Sequence, residues 1–202
     1  MTALTNQGIA ISTLLSIGEH PLSGRARRAE EDARAIEVML QYQPASIQAL
    51  HVGDTADTGK QAVLRDYLGM GLPTIEVLEA TPDIDATDAL VQYFNAEEAK
   101  LPHVLLTGTR SEIGESSGCL PYLLAEKLNL PFIPNICAIL AIDSTAGYAE
   151  VMQSLPRGQR RKIKTTLPFM ASVGMAAPTP RQSSFGVARR GILQSVTSIN
   201  AV

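Results

Sequence analysis

The 202-residue chain predicts an α/β fold with a mainly parallel sheet and helices on both faces. Apolar runs of strand length alternate with amphipathic helical stretches, which implies right-handed crossovers between parallel strands. Loops rich in Gly, Ser, Thr and Asp follow the apolar runs, and no Pro/Gly/Ser linker divides the chain, so one domain is expected.

Residues 9–17 predict the first strand. Ala29, Ala33, Ile36 and Leu40 recur at helical spacing and predict a helix over 24–40. Residues 46–52 read as the second strand, and 53–59 as a loop before a helix carrying Val63, Leu64, Tyr67 and Leu68. After a third strand at 75–78, Thr81 followed by Pro82 reads as an N-cap with proline at the first helical position, opening a helix that runs to about Phe94. A fourth strand at 103–106 leads through a polar loop to a helix ending near Leu128, with Leu120, Leu123, Leu124 and Leu128 on one face. Residues 132–142 form a long apolar segment. Residues 163–173 look like its partner, after a basic loop at 156–162. From residue 176 onward, Pro178, Pro180, Gly186 and Gly191 are expected to break any regular element. The expected organisation is therefore a nucleotide-binding α/β domain over 1–175 with an antiparallel extension, then an irregular segment over 176–202 as a candidate partner-recognition region.

With 17 Lys+Arg against 20 Asp+Glu the net charge is −3, which argues against non-specific nucleic-acid binding and against membrane surfaces. No apolar run reaches the roughly 18 residues of a membrane span, and no basic region precedes the first apolar run, so a cytoplasmic chain without membrane insertion is expected. Cys119 and Cys137 lack CxxC or Cys/His spacing and read as two reduced core thiols rather than metal ligands. Tryptophan is absent and aromatics are few, so stacking of a flavin or base on aromatic walls is not advertised.

Three loops leave predicted strand ends: 18–23, 53–59 and 107–117. Ligands of open α/β sheets bind beyond the carboxyl ends of the strands. The third loop carries the strongest signal, because Thr107-Gly108 closes a strand and Ser116-Ser117-Gly118 opens a helix whose free N–H groups and dipole favour an anion. A nucleotide phosphate is the natural candidate, although pattern alone leaves open that these are merely competent turns and caps. Glu115 sets a carboxylate beside such a phosphate, with Arg110 available to offset it. For catalysis the chain offers little. His20, His51 and His103 are scattered, and no Gly-x-Ser-x-Gly elbow, Walker A loop or HExxH is present, which favours a carrier or binding protein over an enzyme. Arg25-Ala26-Arg27-Arg28 is expected to open the first helix, where positive charge opposes the dipole, and so suggests an acidic ligand or partner.

Over nearly its whole length the chain resembles the β subunit of electron-transfer flavoproteins, chiefly in the order and spacing of segments. Residues 23–36 resemble the family's first helix, and HVGDTADTGKQAVLRDYLGMG from His51 to Gly71 resembles its second strand, polar loop and Leu-Arg helix. Glu115-Ser116-Ser117-Gly118 stands where the family has Asn-Gln-Thr-Gly, and Asn129-Leu130-Pro131 resembles the Gly-Leu-Pro that closes the following helix. Thr166-Leu167-Pro168-Phe169-Met170-Ala171 is similar to the family's Leu-Pro pattern, and Pro178-Thr179-Pro180-Arg181 to its Asn-Glu-Pro-Arg turn.

The resemblance implies a Rossmann-like fold of the adenine nucleotide α-hydrolase type and a heterodimer with an electron-transfer flavoprotein α subunit. In that pairing FAD lies mostly on the α subunit, while the β subunit holds AMP, or a second FAD in electron-bifurcating members. The phosphate falls on Ser116, Ser117 and Gly118, with Thr107, Gly108 and Glu115, the last standing where the family has an amide, also at the cofactor site, and the adenosine on Ile17, Gly18, Gly53, Asp54 and Thr55. Arg181 and Phe185 fall on the segment that meets partner dehydrogenases. The implied role is non-catalytic: electrons pass from flavin-dependent dehydrogenases toward a quinone reductase. Two departures mark a divergent, short member. Residues 155–161, LPRGQRR, replace the family's acidic Arg-Glu-x-Asp-Gly-Gly, and the basic tail that members wrap on the α subunit is expected to be missing or altered. The alternative from another functional class is a stand-alone adenine-nucleotide-binding regulatory module of the same architecture.

Overall fold

The computed structural model describes residues 8–54, 56–80, 85–96, 101–114 and 116–197. Strand β1 (Ala10–Leu15) is buried at all but its first position, as a strand covered on both faces must be. The chain then enters a short antiparallel hairpin, β2 (Ile17–Glu19) against β3 (Ala26–Arg28), before helix α1 (Glu30–Tyr42). The helix expected from residue 24 thus begins six residues later. Gly24, at φ 64°, turns the hairpin, and Ala29 is the extended N-cap. Arg27 and Arg28 lie on β3, not at a helix end. Glu30, Glu31 and Asp32 fill the first turn instead, where negative charge suits the dipole.

Strand β4 (Ser46–Val52) coincides with the expected run. Helix α2 (Thr58–Leu68) is capped by Asp57, whose carboxylate accepts from the N–H groups of Gly59 and Lys60. Strand β5 (Thr74–Glu79) leads to helix α3 (Ala86–Asn95), capped by Asp85 accepting from Thr87 N–H. The cap expected at Thr81 and Pro82 lies outside the described residues. Strand β6 (Val104–Gly108) is wholly buried, and helix α4 (Leu120–Lys127) follows its loop.

Beyond α4 the structure departs further from the sequence expectation. Strand β7 (Phe132–Asp143) pairs antiparallel with β8 (Tyr148–Ser154), a strand not anticipated from the sequence. A 3-10 turn (Pro156–Gly158) leads into β9 (Arg160–Thr166), so much of the expected basic loop is strand. The run at 163–173 divides at Leu167-Pro168 into β9 and β10 (Phe169–Val173). Proline cannot donate to a ladder, and the two pieces have opposite surroundings: β10 is fully buried and β9 largely exposed. The segment expected to lack regular elements contains helix α5 (Phe185–Arg190) and strand β11 (Ile192–Thr197). Neither shows a strong periodic signal, because α5 buries no residue and β11 lies at a sheet edge.

Among the described residues nine strands form one sheet in the order β11-β5-β4-β1-β6-β10-β7-β8-β9. Pairing is parallel from β11 to β7 and antiparallel from β7 to β9. One face of the sheet packs Ile36 and Met39 of α1 and Leu64 and Tyr67 of α2 against Ile11 and Val104. The other packs Leu90 and Phe94 of α3 and Leu124 of α4 against Leu14, Leu50, Leu105 and Met170. From β1 the chain moves to β4 and β5 on one side, then returns to β6 on the other. That reversal leaves a crevice beyond the strand ends at β1 and β6.

Candidate functional site

A cleft of about 530 Å³ opens at this reversal, within the size range of small-ligand sites. Its wall draws on the ends of β1, β4 and β6, on Lys60 of α2, on the start of α3 and on the loop before α4. Of the residues expected to form a site, Ile17, Gly53, Thr107, Gly108, Ser116, Ser117 and Gly118 line it, joined by Arg110. Gly18 and Asp54 stand outside the wall. Gly18 lets β2 close on its neighbours, since a Cβ there would lie 2.5 Å from Glu112 Oε2 and 2.9 Å from Ala29 Cα. Asp54 closes its own turn by accepting from Ala56 N–H at 2.7 Å. Thr55 and Glu115 lie outside the described residues. Arg181 and Phe185 do not line the cleft: Arg181 is paired with Glu37 at 2.8 Å, and Phe185, the first residue of α5, is 82% exposed.

The rim is held by carboxylates from the first turn of α1. Asp32 Oδ2 accepts from Ser16 N–H at 2.7 Å and from Ser16 Oγ at 2.6 Å, while Oδ1 accepts from Gly108 N–H at 2.9 Å. One buried side chain therefore ties the end of β1 to the end of β6. Burial pushes its carboxyl up to about 6, against the opposing pull of the hydrogen bonds from Ser16 and Gly108. Gly108 permits the contact, since a Cβ there would lie 2.5 Å from Asp32 Oδ1. Glu31 accepts from Thr109 N–H at 2.8 Å and from the Thr109 hydroxyl. Glu112 accepts from Glu30 N–H at 2.8 Å and pairs with Arg27 at 2.9 Å, so the arginine expected to meet an acidic partner meets one within the fold.

The loop before α4 turns sharply. Gly114, Ser116 and Gly118 all take positive φ, at 83°, 51° and 72°. Gly118 also allows the loop to close, because a Cβ there would stand 3.0 Å from Thr109 O. Ser117 Oγ accepts from Cys119 N–H at 3.2 Å. Cys119 is exposed at the N-cap of α4, and only Cys137 is a core thiol.

Sequence reasoning missed Asp32, Ser16, His51 and Lys60 as parts of this site. His51 lies buried near the end of β4, with Nδ1 2.9 Å from the carbonyl of Leu15. Burial lowers its pKa, the Leu15 carbonyl opposes that, and Lys60 adds to it, so the ring is neutral near pH 7. The one advance signal was His51 at the end of an apolar run, immediately before a glycine-bearing loop.

No family model matches the chain. The electron transfer flavoprotein subunit beta of Chromohalobacter salexigens is 44% identical over 187 residues, which cover 93% of this chain and 68% of that protein. The chain belongs to the electron-transfer flavoprotein β-subunit family. Membership makes it an electron-carrier subunit rather than an enzyme. Among the described residues no helix is long and apolar enough to cross a membrane. The antiparallel β7–β9 extension and the parallel sheet agree with the fold that the resemblance implied.

Proposed function

We propose that this β subunit pairs with an α subunit that carries FAD, and that the cleft holds the adenine nucleotide of the pair. The single observation that carries this reading is the convergence of the ends of β1, β4 and β6 and of the Ser116-Ser117-Gly118 loop on one cleft at the sheet's reversal point, in a chain of this family. Ser116, Ser117 and Gly118 would hold the phosphate at the start of α4, with Arg110 adding positive charge. Ile17 and Gly53, backed by Leu14, Val52 and Leu90, would hold the adenosine. The positive-φ backbone before α4 supports this fit. An AMP bound there contributes structure and no redox chemistry; a second FAD would add a flavin.

In this reading the heterodimer carries electrons in the cytoplasm from flavin-dependent dehydrogenases toward a quinone reductase. Electron transfer requires proximity and orientation, and no side-chain acid or base is assigned. Phe185 serves as the anchor for the dehydrogenase, supported by a ring that stands 82% exposed, with Arg181 upstream on the same segment. Co-expression with the α subunit tests the whole. The expected product is a yellow one-to-one heterodimer that releases adenine nucleotide on denaturation, read by absorbance and chromatography. Failure to form a flavin-bearing complex would overturn the proposal.

A further inference from the structure

The His51 ring on the cleft wall carries an acceptor for which no donor is present among the described residues. The Leu15 carbonyl can only accept, so Nδ1 of His51 carries the ring proton and Nε2 carries a lone pair. Among the described residues Nε2 makes no hydrogen bond, and it is not sealed in the core: Thr13 Oγ1 is the side-chain polar atom found both enclosed and unpartnered. The His51 ring lies against Gly53, where a Cβ would come within 2.7 Å of Nε2, and both residues line the cleft. Glycine at 53 thus leaves room beside the nitrogen. A polar atom in an otherwise buried side chain, facing a cleft, is unfavourable unless a ligand or water donates to it.

The surroundings indicate which part of a nucleotide meets it. Leu14, Leu50, Val52 and Leu90 form the apolar wall on the β4 side of the cleft, suited to a flat base, whereas the loop proposed to hold the phosphate follows β6. Strand β1 separates β4 from β6, so the two ends of the site stand two strand spacings apart, roughly 10 Å. A phosphate in that loop therefore directs the base toward His51.

We propose that Nε2 of His51 accepts a hydrogen bond from the exocyclic amino group of a 6-aminopurine nucleotide, and so selects it over 6-oxopurine nucleotides, whose carbonyl oxygen there would face a lone pair. This inference rests on the nucleotide reading of the cleft, and the experiment separates the two. The αβ heterodimer, freed of nucleotide by exhaustive exchange, is titrated calorimetrically with AMP and with IMP, as wild type and as His51→Leu. Wild type is expected to bind AMP about ten-fold or more tightly than IMP. In His51→Leu the AMP affinity falls and the preference shrinks to within about two-fold. A circular dichroism melt checks that the variant folds; if it does not, ¹⁵N side-chain spectra of wild type replace it. There the Nε2 resonance of His51 is expected to move with AMP and remain in place with IMP. Equal affinity of wild type for both nucleotides, an unchanged preference in His51→Leu, or an Nε2 resonance indifferent to AMP overturns the selection by His51 while leaving the cleft a nucleotide site. If wild type binds neither nucleotide, both readings fall.

Discussion

The parallel and antiparallel halves of the large sheet manage their polar groups in opposite ways. In the parallel half, β1, β6 and β10 are buried on both faces, so only the strand ends can carry polarity. Those ends are tied by carboxylates: buried Asp32 to Ser16 and Gly108, half-buried Glu31 to Thr109, and exposed Glu112 to Glu30. In the antiparallel half β8 alternates buried and half-buried positions, and β9 presents Arg160, Arg161 and Lys162 to solvent. The charges there are paired along the surface, as Lys162 with Glu150 at 2.6 Å and Lys164 over the Tyr148 ring at 3.5 Å. Charge on the open β9 edge discourages further strand pairing, whereas charge at the cleft fixes geometry. The same residue types therefore carry very different energetic weight in the two halves.

Removing Asp32 should break the cleft end most severely. Asp32→Ala leaves the Ser16 N–H, the Ser16 hydroxyl and the Gly108 N–H without their acceptor, and a loss of about 3 to 5 kcal/mol is expected near pH 4, measured by urea unfolding. The folded carboxyl titrates at about 6 against an ordinary 3.8, so the folded state holds the proton more tightly than the unfolded chain. Its contribution to stability is thus fully present below about pH 4 and declines as pH rises through 6, by up to about 3 kcal/mol. The gap between wild type and Asp32→Ala should accordingly narrow over that interval. A constant gap would show that Asp32 does not titrate across it.

Tyr67→Phe probes the same end with a group that does not titrate near neutrality. Its hydroxyl accepts from Ala29 N–H at 2.7 Å and donates to the Ser16 carbonyl at 3.0 Å, joining α2 to the start of α1 and the end of β1. A loss of about 1 to 2 kcal/mol, flat between pH 5 and 8, is expected. Arg181→Ala lies between the two extremes. Arg181 donates to Glu37 through Nε at 2.8 Å and Nη2 at 3.1 Å, but its side chain is about half exposed, so about 1 kcal/mol or less is expected. Hydrogen bonding from Arg181 holds the Glu37 carboxyl below its ordinary 4.5, so this stability is present above that pH and is lost as pH falls below it. At the far edge, Lys162→Ala should change stability by less than about 0.5 kcal/mol, because its partner Glu150 stays solvated. A loss at Lys162 approaching that of Tyr67 would erase the contrast between the halves.

Much of the parallel half was legible in the sequence because a strand buried on both faces reads as a continuous apolar run. Residues 46–52 match β4 at both ends, and 132–142 match β7 to within one residue. The elements that escaped are those whose stabilising contacts come from elsewhere in the chain. The hairpin β2–β3 is too short to show a period; Glu112 bonds its Glu19 N–H, and Tyr67 ties Ser16 and Ala29 at its two ends, both from distant segments. Strand β11 forms by pairing with β5, more than a hundred residues earlier in the chain, and needs no strong pattern of its own. The cleft was half legible: glycine and serine at the loop ends marked it, while Asp32 looked like one more acidic residue in the first turn of a helix.

By itself the sequence determined the alternation of strands and helices, the apolar character of the sheet, the glycine-bearing turns and the family, because each of these is written in residue type over short spans. Only the tertiary structure decided that β10 enters between β6 and β7, that the turns after β1, β4 and β6 face one cleft, and that Asp32 meets Gly108 across 76 residues. It also decided that His51, bonded through one nitrogen to the Leu15 carbonyl, stands on the wall of that cleft. These are matters of which segments lie side by side, set by the simultaneous burial of two helical layers on one twisted sheet, and local spacing does not encode them.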